Sequence, residues 1–229
     1  MKDGMNENLK EIQENIARAA EKSGRDATDI TLLAVSKTIP IERIRQAYAL
    51  GIRQFGENRV QELLPKCESF PEPDWHMIGH LQTNKVKFIV EKVKLIHSVD
   101  SIRLAEEINK RAARLNITAN ILIEINIAEE DTKQGVSPQN ADFLIEQIQT
   151  LSNVHTKGLM CVAPFVEDPE QNRRYFEKMR TLYVDIKGRR RHNMDMTYLS
   201  MGMSGDYQVA IEEGANIVRI GTSLFGNRS

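Results

Sequence analysis

Lys37 closes the run Thr31-Leu32-Leu33-Ala34-Val35-Ser36-Lys37, and Arg219 lies within a second run, Ile217-Val218-Arg219-Ile220-Gly221-Thr222. If both runs are strands, alternate side chains share a face. Leu33, Val35 and Lys37 then point one way, as do Ile217, Arg219 and Gly221. Two cations among apolar residues require an anion or a reaction to serve. A lysine beside an arginine in a partly dry site has its charged form disfavoured by desolvation and by like-charge repulsion, which leaves a nucleophilic amine. That is the chemistry of a Schiff base. The competing reading is a strand-end lysine that snorkels into solvent, and spacing alone does not separate the two.

Two glycine-containing loops add an anion site: Ser200-Met201-Gly202-Met203-Ser204-Gly205-Asp206 and Gly221-Thr222-Ser223-Leu224-Phe225-Gly226. Small residues let backbone N–H groups approach an anion, hydroxyls donate to it, and a helix starting nearby adds its positive end. Ser204 and Thr222 are the leading donors. Either loop alone reads better as an ordinary glycine turn with a helix cap. His76, His80 and His97 have no carboxylate or cysteine at ligand spacing, so structural roles are favoured over a metal site. Glu124 and Asn126 alternate with Ile121, Ile123 and Ile125, which turns the polar pair to one face and the isoleucines to the other. The basic stretch Lys187-Gly188-Arg189-Arg190-Arg191-His192 reads as a solvated helix end, with contact to an anionic partner as the alternative. Residues 129–135 form a loop at the mouth of the site, where Lys133 is a candidate to assist ligand entry or release.

The elements that position these groups follow from hydrophobic periodicity. Strands are predicted at 31–37, 53–56, 75–79, 95–99, 119–126, 156–161, 197–202 and 217–221. Amphipathic helical stretches lie between them, at 40–50, 101–115, 138–151 and 169–186, as βα repeats require. Residues 1–25 precede the first strand and hold a helix over 6–23, placed here as a cap on the bottom of the barrel. No Gly/Ser linker divides the chain, so residues 1–229 are read as a single α/β domain, a (β/α)8 TIM barrel. An open doubly wound sheet is the alternative. In a closed barrel the eighth strand lies beside the first, which makes Lys37 and Arg219 neighbours at the carboxyl face where such barrels build their sites. The two glycine loops then follow strands seven and eight, where barrels often bind phosphate.

Composition narrows the function. With 31 basic and 32 acidic residues the net charge is −1, and no global field recruits nucleic acid or anionic membrane. The two cysteines, Cys67 and Cys161, provide neither a disulfide framework nor metal spacing. A charged amino terminus without an apolar core, and no later apolar run of spanning length, predict a soluble cytoplasmic protein that acts on a small molecule.

Several segments together carry a family resemblance: Val35-Ser36-Lys37-Thr38, Phe55-Gly56-Glu57-Asn58, His76-Met77-Ile78-Gly79-His80-Leu81-Gln82-Thr83-Asn84-Lys85, Lys157-Gly158-Leu159-Met160, Leu199-Ser200-Met201-Gly202-Met203-Ser204-Gly205-Asp206 and Val218-Arg219-Ile220-Gly221-Thr222. In order and spacing they resemble the motifs of the pyridoxal phosphate homeostasis proteins, the YggS/PROSC family, from about residue 30 to the end. The resemblance implies a barrel related to the amino-terminal domain of alanine racemase (fold type III), carrying pyridoxal 5′-phosphate as an internal aldimine on Lys37. It also implies that Arg219 faces the pyridine nitrogen and that Ser204, Gly221 and Thr222 hold the phosphate with Ser200 and Met201 close by. Asn58 and Met160 would line the ring pocket.

A guanidinium can only donate to an unprotonated pyridine nitrogen, which weakens the cofactor as an electron sink. Alanine racemases share that arginine. Racemisation further needs a second acid–base group, which in that family is a tyrosine from the carboxy-terminal domain of a partner subunit; this chain, ending at Ser229, is read as lacking the domain. The expectation is therefore a non-enzymatic, monomeric cofactor carrier, without metal, with transfer of pyridoxal phosphate to apo-enzymes as a further role. The alternatives are a pyridoxal-phosphate-dependent amino-acid racemase or lyase of fold type III, and a cofactor-free barrel using Lys37 for aldolase-type chemistry.

Overall fold

Alternating apolar residues build eight parallel strands that close on themselves: β1 Thr31–Val35, β2 Gln54–Glu57, β3 Asp74–Met77, β4 Leu95–Val99, β5 Ala119–Ile125, β6 Val154–Cys161, β7 Met194–Met203 and β8 Ile217–Ile220. The computed structural model describes residues 4–130, 132–189 and 192–226. β1 pairs with β8 from Thr31 opposite Ile217 to Ala34 opposite Ile220, which excludes the open sheet. Each predicted strand has its counterpart. β1, however, stops at Val35, so Lys37 stands in the turn beyond it rather than in the strand. β6 and β7 begin earlier than their apolar runs do.

The helices are α1 Met5–Lys22, α2 Ile41–Ala49, α3 Val60–Ser69, α4 Val86–Ile89, α5 Ile102–Arg114, α6 Pro138–Ile148, α7 Arg173–Gly188, α8 Tyr207–Glu212 and α9 Thr222–Phe225. In α5, Leu104, Ala105, Ile108 and Ala112 form one buried stripe at helical spacing. The predicted helix over 169–186 divides into a 3₁₀ turn, Pro169–Asn172, followed by α7. No helix among the described residues is long and apolar enough to cross a membrane.

Helix α1 does not cap the bottom of the barrel. It lies along the outer wall against α8 and α9. Asn8 Nδ2 donates to the Leu224 carbonyl, Asn15 Nδ2 donates to the Tyr207 hydroxyl, and Lys22 pairs with Glu212. The physical reason is α9, whose four residues are too short to cover the wall of β8. The buried stripe Met5, Leu9, Ile12, Ile16, Ala19 and Ala20 takes that place in the outer ring.

The core has two parts. The larger lies between strands and helices and holds Ile121, Ile123 and Ile125, as their alternation requires. The smaller is an apolar plug inside the barrel, made of Leu33, Leu95, Leu122, Met160 and Ile217. Two residues further along their strands, on the same face, come Val35, His97, Glu124 and Arg219. His97, Glu124 and Arg219 therefore make a largely polar layer, with Val35 beside them, on an apolar floor directly beneath the carboxyl face.

Candidate functional site

The turn after β1 and the loops after β7 and β8 enclose a cleft of about 240 Å3, lined by Val35, Lys37, Met203, Ser204, Arg219, Gly221 and Thr222, with Pro164 and Phe165 on the opposite side. Among the described residues, no hydrogen bond or ion pair engages the Lys37 amine. The turn that carries it is pinned on both sides. On one side, buried Ser36 donates from Oγ to Glu57 Oε1 at 2.7 Å, and Lys66 Nζ donates to the Ser36 carbonyl at 2.8 Å. On the other, Thr38 adopts the left-handed conformation at φ 63°, and its N–H donates to Glu62 Oε2 at 2.7 Å. Lys66 and Glu57 form an ion pair of 2.6 Å. Burial raises the Glu57 carboxyl, against the pull of Lys66 and Ser36.

Across the cleft, Ser204 Oγ accepts from the Gly221 N–H at 3.2 Å and lies 3.4 Å from the Ser223 N–H. Two backbone donors and the hydroxyls of Ser204, Thr222 and Ser223 thus gather in one corner. A methyl group on Gly221 would stand 3.3 Å from both Cβ and the carbonyl oxygen of Val35, so a side chain there would crowd the floor of the cleft.

Arg219 is buried beneath this corner. Its Nη1 donates to Ser200 Oγ and its Nη2 to the Cys161 carbonyl, both at 2.7 Å. Desolvation lowers its pKa, while Cys161, Glu124 and Asp206 act in the opposite sense. Asp206 is held by Asn172 Nδ2 at 2.8 Å and by the Met203 N–H at 2.7 Å. Glu124 faces the interior as its alternation predicts, and burial raises its carboxyl to about 7, with Asp100 adding to the rise and Arg219 opposing it.

Lys37, Ser204, Arg219, Gly221 and Thr222 therefore share one cleft, and Ser200 touches Arg219 below it. Three other residues lie elsewhere. Met160 belongs to the apolar plug inside the barrel, and the Met201 side chain turns outward into the core under the helices. Asn58 lines a second, separate cleft with Arg59, Glu62, His80, Gln82 and Lys85. His76 and His97 hydrogen-bond one another at 2.9 Å inside the barrel, and the described residues hold no cluster suited to a metal ion. Asn126 binds the backbone of Glu130, and Lys133 pairs with Glu130. Arg189 pairs with Asp142 and Asp185, whereas Arg190 and Arg191 lie outside the described residues. Sequence reasoning missed the Glu57–Lys66 pair and the wall formed by Pro164 and Phe165. Glu57 stood in a noted motif, but nothing in the sequence names Lys66 as its partner.

The donor set fits a phosphorylated aldehyde. A free amine, an oxyanion corner and a buried donor-only guanidinium stand on the carboxyl face of a closed parallel barrel, which is the architecture of the alanine racemase amino-terminal domain. The family model for that domain matches residues 8–229. The chain belongs to the pyridoxal phosphate homeostasis protein family. It is 50% identical over 224 residues to the pyridoxal phosphate homeostasis protein of Aquifex aeolicus, covering 97% of each chain, and 38% identical over 227 residues to that of Escherichia coli K12. Among solved structures, PipY of Synechococcus elongatus with pyridoxal phosphate bound is similar, with 36% identity, a TM-score of 0.80, and coverage of 92% of this chain and all of that one. Alanine racemase of Corynebacterium glutamicum shares the fold at 14% identity and a TM-score of 0.71, with 61% of its length covered.

Proposed function

We propose that this protein binds pyridoxal 5′-phosphate in the cleft and acts as a carrier of it rather than as an enzyme. The observation that carries this reading is the free amine of Lys37 in one cleft with the Ser204–Gly221–Ser223 corner and Arg219. The Lys37 amine condenses with the cofactor aldehyde, forming a C=N bond and releasing water. The Gly221 and Ser223 amides, with the hydroxyls of Ser204 and Thr222, hold the phosphate. Arg219 donates to the pyridine nitrogen and leaves it unprotonated, so the bound ring is a weak electron sink. Ser200 acts through Arg219, whereas Asn58, Met160 and Met201 stand outside the cleft and have no part in holding the cofactor in this reading.

The carrier reading draws support from the described lining, where Lys37 is the one group placed to move a proton. Asp206 already accepts from Asn172 and Met203, and no histidine, cysteine or tyrosine lines the cleft. Racemisation needs an acid and a base on opposite faces of the reacting carbon. The protein thus limits the free aldehyde and passes it to apo-enzymes, and we assign it as a monomer.

The decisive experiment is the absorption spectrum of the purified protein with added pyridoxal phosphate, before and after borohydride, alongside Lys37→Ala. A yellow band that bleaches on reduction, leaves the cofactor on Lys37 by mass spectrometry and is lost in the variant is the expected result. A protein that stays colourless overturns the reading. Delivery is tested separately by transfer to an apo-enzyme in the presence of an aldehyde trap. Transfer no faster than release would remove that part, and rapid exchange of a substrate α-hydrogen for deuterium would replace the carrier with an enzyme.

A further inference from the structure

Arg219 is the end of a buried chain of hydrogen bonds that crosses the barrel. Its Nη1 lies 2.7 Å from Ser200 Oγ, Ser200 Oγ lies 3.1 Å from His97 Nδ1, and His97 Nε2 lies 2.9 Å from His76 Nδ1. The four residues come from β8, β7, β4 and β3, so the step from Ser200 to His97 spans the interior. All four are buried.

The chemistry of the groups gives this chain one direction. A guanidinium only donates, so Ser200 Oγ is the acceptor from Arg219. Among the described residues the Ser200 hydroxyl proton has one remaining partner, His97 Nδ1; Nδ1–H donating to Oγ instead would leave that buried O–H without an acceptor, so the proton is donated to Nδ1. His97 then carries its own proton on Nε2 and donates to His76 Nδ1. His76 in turn carries its proton on Nε2, the one nitrogen of these two rings without a protein partner. His76 also lines a cavity of about 120 Å3 at the amino-terminal mouth, with Asp74, Lys94 and Lys157 among its walls. Both rings are neutral. Burial lowers His76 to about 3 with Lys94 adding repulsion, and burial lowers His97 far below the usual imidazole range, with His76 and Arg219 adding to it.

We propose that His97 is a positioning residue for Arg219, acting through Ser200 and braced by His76, and that this chain fixes which guanidinium donors face the cleft. With Nη1 committed to Ser200 and Nη2 to the Cys161 carbonyl, the guanidinium plane is held at two points and presents its remaining N–H groups in one orientation. The role assigned to Arg219 rests on the cofactor reading above; the direction of the chain does not.

Histidine ring-15N spectroscopy of the protein, with and without pyridoxal phosphate, tests the chain directly. Both buried rings are expected as the Nε2–H tautomer, unchanged between about pH 5.5 and 8. A proton on Nδ1 of either ring, or protonation within that range, overturns the proposal. His97→Leu removes the acceptor for Ser200, whereas His97→Asn keeps an oxygen near the place of Nδ1. The Leu variant is expected to weaken pyridoxal phosphate binding about tenfold and to shift the visible band, with His97→Asn restoring most of both. A folded His97→Leu with unaltered affinity and spectrum overturns the positioning role. If that variant does not fold, a proton found on Nδ1 still overturns the chain and the Nε2–H form upholds it. Nε2–H tautomers in a protein that takes up no cofactor would overturn the functional reading and leave the chain standing.

Discussion

Glu124 sits where the site's need for polar groups meets the barrel's need to exclude water. Its carboxyl is raised from 4.5 to about 7 in the fold, with burial as the largest cause. Between those pH values the unfolded chain ionises while the native state holds its proton, so this group's contribution to stability is lost as pH rises through the window. Glu124→Gln removes the titration. The variant is expected to match the parent near pH 5 and to exceed it by about 2 kcal/mol near pH 8 in urea denaturation; a difference independent of pH would refute this account. The inward direction of Glu124 is legible in the alternation of β5, but its titration is not, because Asp100, just past the end of β4, and Arg219 on β8 reach it from elsewhere in the chain. The same division holds across the site. That Lys37, Ser204, Arg219, Gly221 and Thr222 share one cleft is legible, because strand ends and the glycine loops after them mark those positions. The Glu57–Lys66 pair is invisible, since it joins a strand end to the middle of α3. Lys66→Met leaves Glu57 without its counter-charge in a buried place, and a loss of about 3 kcal/mol is expected. Glu57→Gln in the same protein should recover part of it. Thermal melts of the single and double variants decide, and equal melting temperatures would show that the pair does not pin the Lys37 turn.

At the scale of elements, strand positions are recoverable because each apolar run faces both a helix and the interior. What the runs do not encode is where polar residues extend a strand. β6 and β7 begin at Val154 and Met194, where Lys157 and Asp195 pair across the amino-terminal mouth. The place of α1 is likewise illegible, because its stripe demands only an apolar partner and the shortness of α9 decides which wall remains uncovered. Gly158 marks a point where one backbone must approach another. It has φ +150°, and a Cβ there would stand 1.8 Å from the Tyr198 carbonyl oxygen, where the register of β6 against β7 shifts. Gly158→Ala therefore forces the two strands apart and is expected to cost at least about 3 kcal/mol. A loss below about 1 kcal/mol in chemical denaturation would mean that the pairing yields at little expense.

In the whole molecule, the cleft stands over the seam where the barrel closes. β1 and β8 are joined by their ladder from Thr31–Ile217 to Ala34–Ile220, and most of the chain separates the two strands in sequence. Contacts between distant segments carry the greatest loop-closure cost, so local opening is favoured at such a seam. Lys37 stands on one side of it, and Ser204, Gly221 and Thr222 stand on the other. A ligand held by both sides, as proposed for pyridoxal phosphate, cross-links the first strand to the last. At about one hundred times its dissociation constant such a ligand adds about 2.7 kcal/mol to global stability. For a chain of this size that corresponds to a rise of roughly 5–11 °C in Tm. The gain should not be evenly distributed. Hydrogen exchange is expected to slow most in residues 31–38 and 200–225, on the two sides of the seam, and least in β4 and β5 opposite. Lys37→Ala, which severs one side of the link while leaving the phosphate corner, should keep protection in residues 200–225 and lose it in 31–38. Protection spread evenly around the barrel would mean that the ligand stabilises the fold without bridging its closure, and Lys37 would then lose its place as the anchor on β1's side.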